Sequence, residues 1–159
     1  MNHKKNIFIC RHGHTTFTAQ TDFNRELTTE GVKAVSNTAL FIQKQCEIAN
    51  LSPELCISSA ALRTKQTAKI IAQSNDVMQC DFYQELYSTN ASQWLEKITK
   101  AKQNTIILVG HNPTLSQLVQ VLSGHEFYMK PANCAFITLE IKPDGFIYPS
   151  LLNHVFQNE

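Results

Sequence analysis

Residues 105–113 read Thr-Ile-Ile-Leu-Val-Gly-His-Asn-Pro. The first five are β-branched or apolar without a break, which suits a strand buried on both faces. Gly110 ends the run, Asn112 suits a helix N-cap and Pro113 suits the first helical position. Leu115, Leu118, Val119 and Leu122 then recur at helical spacing. A buried strand that passes within a few residues into an amphipathic helix is the building unit of a parallel sheet covered by helices.

Working outward, the same unit recurs. Asn6–Cys10 (NIFIC) is a short apolar run suited to a buried strand. Thr28 and Thr29 with Glu30 signal a helix start, and Val32, Val35, Ala39, Ile42 and Cys46 form its stripe. Leu55–Ser58 reads as a strand, Ala61 to about Ser74 as a helix, and Val77–Tyr83 as a further strand. Ala91, Trp94, Leu95 and Ile98 fall at i, i+3, i+4 and i+7, so another helix is expected there, with Trp94 in its core stripe. Ala135–Ile141 and Phe146–Leu152 flank the turn Pro143-Asp144-Gly145 and predict an antiparallel pair. The expected fold is α/β, a three-layer α/β/α domain spanning residues 1–159, with a mostly parallel sheet and an antiparallel C-terminal edge.

Composition narrows the function classes. Charged residues make up only 17% of the chain and the net charge is +1, which offers no broad electrostatic surface for nucleic acid or membrane. No apolar run approaches the roughly 18 residues of a membrane helix, and Asn6–Cys10 is too short for a signal-peptide core. The five cysteines are widely spaced without a CxxC pair. They read as buried free thiols in a reducing compartment, so a cytoplasmic location is expected. Within the basic set, eleven residues are lysine and three are arginine: Arg11, Arg25 and Arg63. Arginine's planar fork binds phosphate through two parallel hydrogen bonds that an ammonium cannot copy, whereas the lysines read as scattered solvated charges.

In open α/β sheets a ligand sits beyond the C-terminal ends of the strands. The loops that leave those ends carry Arg11-His12-Gly13-His14, Ser58-Ser59 through Arg63, and Gly110-His111-Asn112-Pro113. Two arginines and two histidines beside helix N-termini suit a tetrahedral dianion such as a phosphoryl group. With no acidic residue in those loops, the set is a poor one for magnesium, calcium or zinc. A neutral imidazole can attack phosphorus and form a covalent N–P intermediate. His12 is the candidate nucleophile, and a protonated His111 is expected to stabilise transition-state charge with the arginines. Ser58 and Ser59 read as caps of the next helix, and His3, His125 and His154 as ordinary surface residues.

Together these motifs, with Arg63-Thr64, Gln66-Thr67-Ala68 and the loop Arg25-Glu26-Leu27-Thr28-Thr29-Glu30-Gly31, resemble the histidine phosphatase superfamily over about residues 6–140. The resemblance implies a phosphoglycerate mutase-like fold and a phosphoenzyme on His12. It implies a phosphate pocket of Arg11, Arg63 and His111, with Arg25 at its edge, and no metal or other cofactor. Asn133 and Cys134 resemble a late loop that approaches the pocket. Many relatives carry a carboxylate after the third strand that protonates the leaving oxygen, and Glu85 lies nearest that position. Larger members insert helices between the second arginine and the second histidine; here 48 positions separate Arg63 from His111. An open pocket is therefore expected, and the chain is most similar to the compact SixA-like phosphohistidine phosphatases. That branch implies a phosphorylated protein substrate, either a histidine-phosphotransfer domain or a sensor kinase, and a monomeric enzyme. The alternatives are a broad small-molecule phosphomonoesterase and a catalytically silent phosphoprotein-binding module.

Overall fold

The computed structural model describes residues 2–146 and 149–158. The strands are β1 (His3–Arg11), β2 (Leu55–Ser59), β3 (Cys80–Tyr83), β4 (Thr105–Gly110), β5 (Cys134–Lys142), β6 (Gly145–Phe146) and β7 (Leu151–Phe156). The helices are α1 (Thr29–Ala49), α2 (Leu62–Ser74), α3 (Ala91–Lys100) and α4 (Thr114–Ser123). They build one sheet of order β3-β2-β4-β1-β5-β6, with β7 also paired to β5. The four N-terminal strands are parallel. Strand β5 runs antiparallel to β1 and to both C-terminal strands. This is the α/β phosphoglycerate mutase-like arrangement expected.

The period-two alternation of β4 shows why two helical layers are needed. Ile106 and Leu108 pack on one face with Ile7, Ile9, Trp94 and Leu118. Ile107 and Val109 pack on the other with Phe8, Val35, Ile42 and Ile71. All twelve are fully buried, so β4 and residues 7–10 of β1 carry no polar face. Helix α1 ends at Asn50 in the left-handed region (φ 56), and α4 ends at Gly124 (φ 74), both residue types that tolerate that conformation.

Several boundaries differ from expectation. Only Cys80–Tyr83 of the 77–83 segment is a strand. Val77 instead packs into the core after Asp76, which takes positive φ. Val32 is 43% exposed, because Gly31 takes the buried position of the first turn of α1. The N-cap of α4 is Pro113 rather than Asn112. Asn112 still caps from one residue earlier, its Oδ1 accepting from the Ser116 main-chain N–H at 3.1 Å. The expected strand 146–152 is not continuous: Phe146 pairs with Ile141, and β7 begins at Leu151; the part of that strand at 147–148 lies outside the described residues. Lys5 is not a solvated charge. It is 3% exposed, and its Nζ donates to the Ile98 and Ala101 carbonyls at the end of α3, where a cation meets unpaired carbonyls favourably.

Two glycines set the path of the first loop. A Cβ on Gly31 would lie 2.2 Å from the His14 carbonyl oxygen, and one on Gly13 would lie 2.7 Å from Val35 Cγ2. The loop after β1 is thus pressed against the start of α1. Gly31→Ala must push main chain aside, and is expected to cost ~2–3 kcal/mol, the range for overpacked sites. For a domain of this size that lowers Tm by about 5–10 °C, measurable by calorimetry. An unchanged Tm would show that the packing there is loose.

Candidate active site

Parallel pairing brings the two key loops together. Arg11 is the register partner of Gly110, and His12 donates its main-chain N–H to the Gly110 carbonyl at 3.2 Å. The next residues, His12 and His111, therefore stand side by side with ring centroids 5.4 Å apart. Arg63 reaches the same point from the first turn of α2, its Nε lying 3.4 Å from His12 Nε2. Residues from three separate chain segments thus meet beyond the C-terminal ends of β1, β2 and β4.

His12 is buried, and its Nδ1 lies 2.7 Å from the Gly13 carbonyl oxygen. A carbonyl only accepts, so Nδ1 carries the proton of the neutral ring and Nε2 holds the lone pair. Burial, opposed by the Gly13 hydrogen bond and reinforced by His111, Arg63 and Arg11, lowers the His12 pKa to about 3. Burial and the nearby Arg63 lower that of His111 to about 4. Both rings are neutral near pH 7 in the free protein, so the protonated His111 expected in the transition state would gain its proton only with the anion bound. His111 Nε2 shares a 2.8 Å hydrogen bond with Ser59 Oγ. Ser59 therefore orients the second histidine, while Ala61 is the N-cap of α2. Ser58 Oγ is turned back to the Ser59 carbonyl.

An unfolded chain binds protons on these histidines near pH 6.5, whereas the folded chain excludes them down to about 3–4. Their contribution to stability is therefore lost as pH falls from about 6.5 into that range. In an NMR titration, the His12 and His111 ring signals are expected to stay flat between pH 8 and 5. A midpoint near the unperturbed value of about 6.5 for either would contradict the buried neutral pair.

The cavity between these loops holds about 260 Å³ and is lined by Arg11, His12, Arg25, Arg63, His111 and Asn112, among others. Arg11 Nη1 donates to the Met129 carbonyl at 2.9 Å. Its Nε is buried without a hydrogen-bond partner among the described residues. An unmade charged hydrogen bond is costly, so an anion entering the cavity would relieve it. Arg25 is fixed to the loop: Nε donates to the Thr16 carbonyl at 2.8 Å, and Nη2 donates to Thr15 Oγ1. His14 lines the mouth and is exposed.

The comparisons with known proteins bear on this arrangement. The family model "Histidine phosphatase superfamily (branch 1)" matches residues 7–94, more than half of the chain. The chain belongs to the histidine phosphatase superfamily. An uncharacterized protein of Picosynechococcus sp. is 29% identical over 136 residues, covering 79% of this chain and 80% of the other. The SixA structure from Agrobacterium tumefaciens superposes with a TM-score of 0.80 at 19% identity, covering 98% of this chain and 99% of that one. The protein histidine phosphatase SixA complexed with tungstate gives 0.77 at 22% identity, covering 94% and 95%. At these identities the two structures establish a shared fold.

Against the superfamily pattern, one expected residue does not join the others. Glu85 sits in the 3-10 turn Gln84–Leu86, and its carboxylate pairs with Lys97 Nζ at 3.0 Å. It does not line the cavity. Asn133 also serves the fold: its carbonyl accepts from the Arg11 N–H and its Oδ1 accepts from the Asn158 N–H. Cys134 is fully buried, with its Sγ 3.3 Å from Cys10 Sγ. The reading of the sequence missed Asp22 and Tyr87. Asp22 binds Arg25 and Arg63, at 3.0 Å each. The Tyr87 ring lies edge-on to His111 at 5.5 Å. The Tyr87 hydrogen bond, with Arg25 and Arg63, holds the Asp22 carboxyl well below the usual carboxylate range. Its position three residues before Arg25 was the available signal, since i, i+3 spacing lets one turn bring the charges together.

Proposed function

We propose that this protein is a phosphatase that hydrolyses protein phosphohistidine without a metal, through a covalent phosphoryl intermediate on His12. The observation that carries the reading is the His12 ring: neutral, pinned at Nδ1 by Gly13, with its Nε2 lone pair beside Arg63 and His111. That is the state a nitrogen nucleophile needs. In the first step Nε2 attacks phosphorus, an N–P bond forms, and the bond from phosphorus to the substrate's imidazole nitrogen breaks. Arg11 and Arg63 take up charge on the equatorial oxygens. His111 contributes a hydrogen bond, and the bound dianion favours its protonation. Water then attacks the phosphoryl group on His12, releasing inorganic phosphate and restoring the neutral ring.

Two features support a phosphohistidine carried on a protein. Between α2, which carries Arg63, and β4, which precedes His111, the chain holds only β3, one 3-10 turn and α3, so it supplies no inserted helices to wall in a small substrate. At the mouth, Phe17 is 81% exposed beside Arg25, which suits contact with a partner surface. Placing Glu85 outside the cavity points the same way, since a phosphoramidate leaving group can take its proton from solvent. The substrate class expected is a histidine-phosphotransfer domain or a sensor kinase, encountered in the cytoplasm by a monomeric enzyme.

Turnover measured side by side tests this. A phosphohistidine-bearing domain is expected to be dephosphorylated faster than a phosphoserine peptide or small phosphate esters. Equal or faster turnover of sugar phosphates would point to a small-molecule phosphomonoesterase. Binding of the phosphoprotein without turnover would leave a binding module.

A further inference from the structure

One charged group at the pocket has no part in the chemistry above. Asp22 Oδ2 accepts from Arg63 Nη2 at 3.0 Å, and the Asp22 main-chain carbonyl accepts from Arg63 Nη1 at 2.7 Å. Both terminal nitrogens of Arg63 are therefore already engaged by a pair of oxygens. These are the nitrogens with which a guanidinium grips two phosphoryl oxygens side by side. The other carboxylate oxygen of Asp22 accepts from Arg25 Nη1 at 3.0 Å, and the Tyr87 hydroxyl donates to Oδ2. The carboxylate thus stands among two guanidinium groups and a phenol whose ring lies edge-on to His111.

We propose that Asp22 is an internal stand-in for the substrate's phosphoryl group, a latch that occupies Arg63 in the free protein and must release it for phosphate to bind. The inference rests on the reading of the cavity as a phosphoryl site. A carboxylate and a phosphate dianion repel each other, so they compete for one guanidinium. The latch is built to move. Asp22 opens the three-residue 3-10 turn Asp22–Asn24, which contains no buried residue, and its side chain is 51% exposed. Leaving Arg63 therefore gives up little packing. Arg25 stays anchored through Thr15 and Thr16, with Phe17 against its guanidinium at 4.5 Å, so it retains the released carboxylate nearby. Such a latch selects among anions: only one carrying more charge than a carboxylate displaces it effectively.

Titration calorimetry with inorganic phosphate at fixed ionic strength tests the latch without relying on turnover. A pocket closed in about nine of ten molecules shows an apparent affinity ~tenfold below its intrinsic value. Asp22→Asn is therefore expected to bind phosphate ~tenfold more tightly than the wild type. If the competition runs through Arg63, that gain disappears when Asp22→Asn is compared in an Arg63→Ala background. Equal or weaker binding by Asp22→Asn would make Asp22 a group that positions Arg63, and would overturn the latch. A gain that survives removal of Arg63 would reduce it to general charge repulsion and overturn it equally. If neither the wild type nor Asp22→Asn binds phosphate, the phosphoryl reading itself fails, and the latch with it.

Discussion

Replacing His12 with alanine is expected to lower kcat by on the order of 10⁴-fold or more, as loss of a covalent nucleophile does. The reason lies in the ring's surroundings. His12 is the imidazole whose Nδ1 is tied to a main-chain carbonyl and whose Nε2 stands beside Arg63. His111 cannot take over its task. Its Nε2 is engaged by Ser59 Oγ, and its ring stands 5.4 Å from His12, so it does not place a lone pair where the His12 Nε2 stood. The strand that ends just before His12 is held by main-chain bonds from β4 and β5, so the variant should keep its circular dichroism spectrum. A variant that retains a tenth of wild-type turnover would mean that phosphorus is attacked by another group.

Arg63→Lys is expected to be nearly as damaging, lowering kcat/KM by about 10²–10³-fold, the cost of losing an electrostatic donor to the transition state. The charge survives the change but the geometry does not. Arg63 addresses three acceptors through three different nitrogens, Nε, Nη1 and Nη2. A lysine's single ammonium cannot lie beside His12 and grip two phosphoryl oxygens in one plane. Arg11→Lys should behave similarly, since Arg11 spends Nη1 on the Met129 carbonyl and keeps a buried Nε without a partner among the described residues. Near-normal rates in both lysine variants, measured on the same phosphohistidine substrate, would refute the bidentate role given to arginine.

Much of the site was legible because strand ends and helix starts leave local signals. The run Thr105–Val109 could hardly be anything but a buried strand, and the loops following β1, β2 and β4 had to meet once that sheet was parallel. His12, Arg11, Arg63 and His111 therefore converge as the sequence suggested. Asp22 was missed because it belongs to a 3-10 turn with no apolar periodicity, whose path depends on contacts 41 and 65 residues away in sequence, to Arg63 and Tyr87. Glu85 was misplaced for the opposite reason. It stands at the expected sequence position, but Lys97 on α3 draws its carboxylate away from the cavity. The neutral state of His111 in the free protein could not be read from sequence, because burial sets it. Lys5 shows that an amino-acid type alone does not reveal exposure: a helix C-terminus gave its ammonium acceptors inside the fold.

The most direct test is to trap the covalent intermediate. The protein is mixed with a phosphohistidine-bearing domain labelled on phosphorus, quenched within milliseconds under alkaline conditions that preserve N–P bonds, and digested for mass spectrometry. One phosphoryl group is expected on the peptide that contains His12, absent from His12→Ala. Phosphoryl transfer to any other residue, or turnover with no labelled enzyme at any time point, would contradict it.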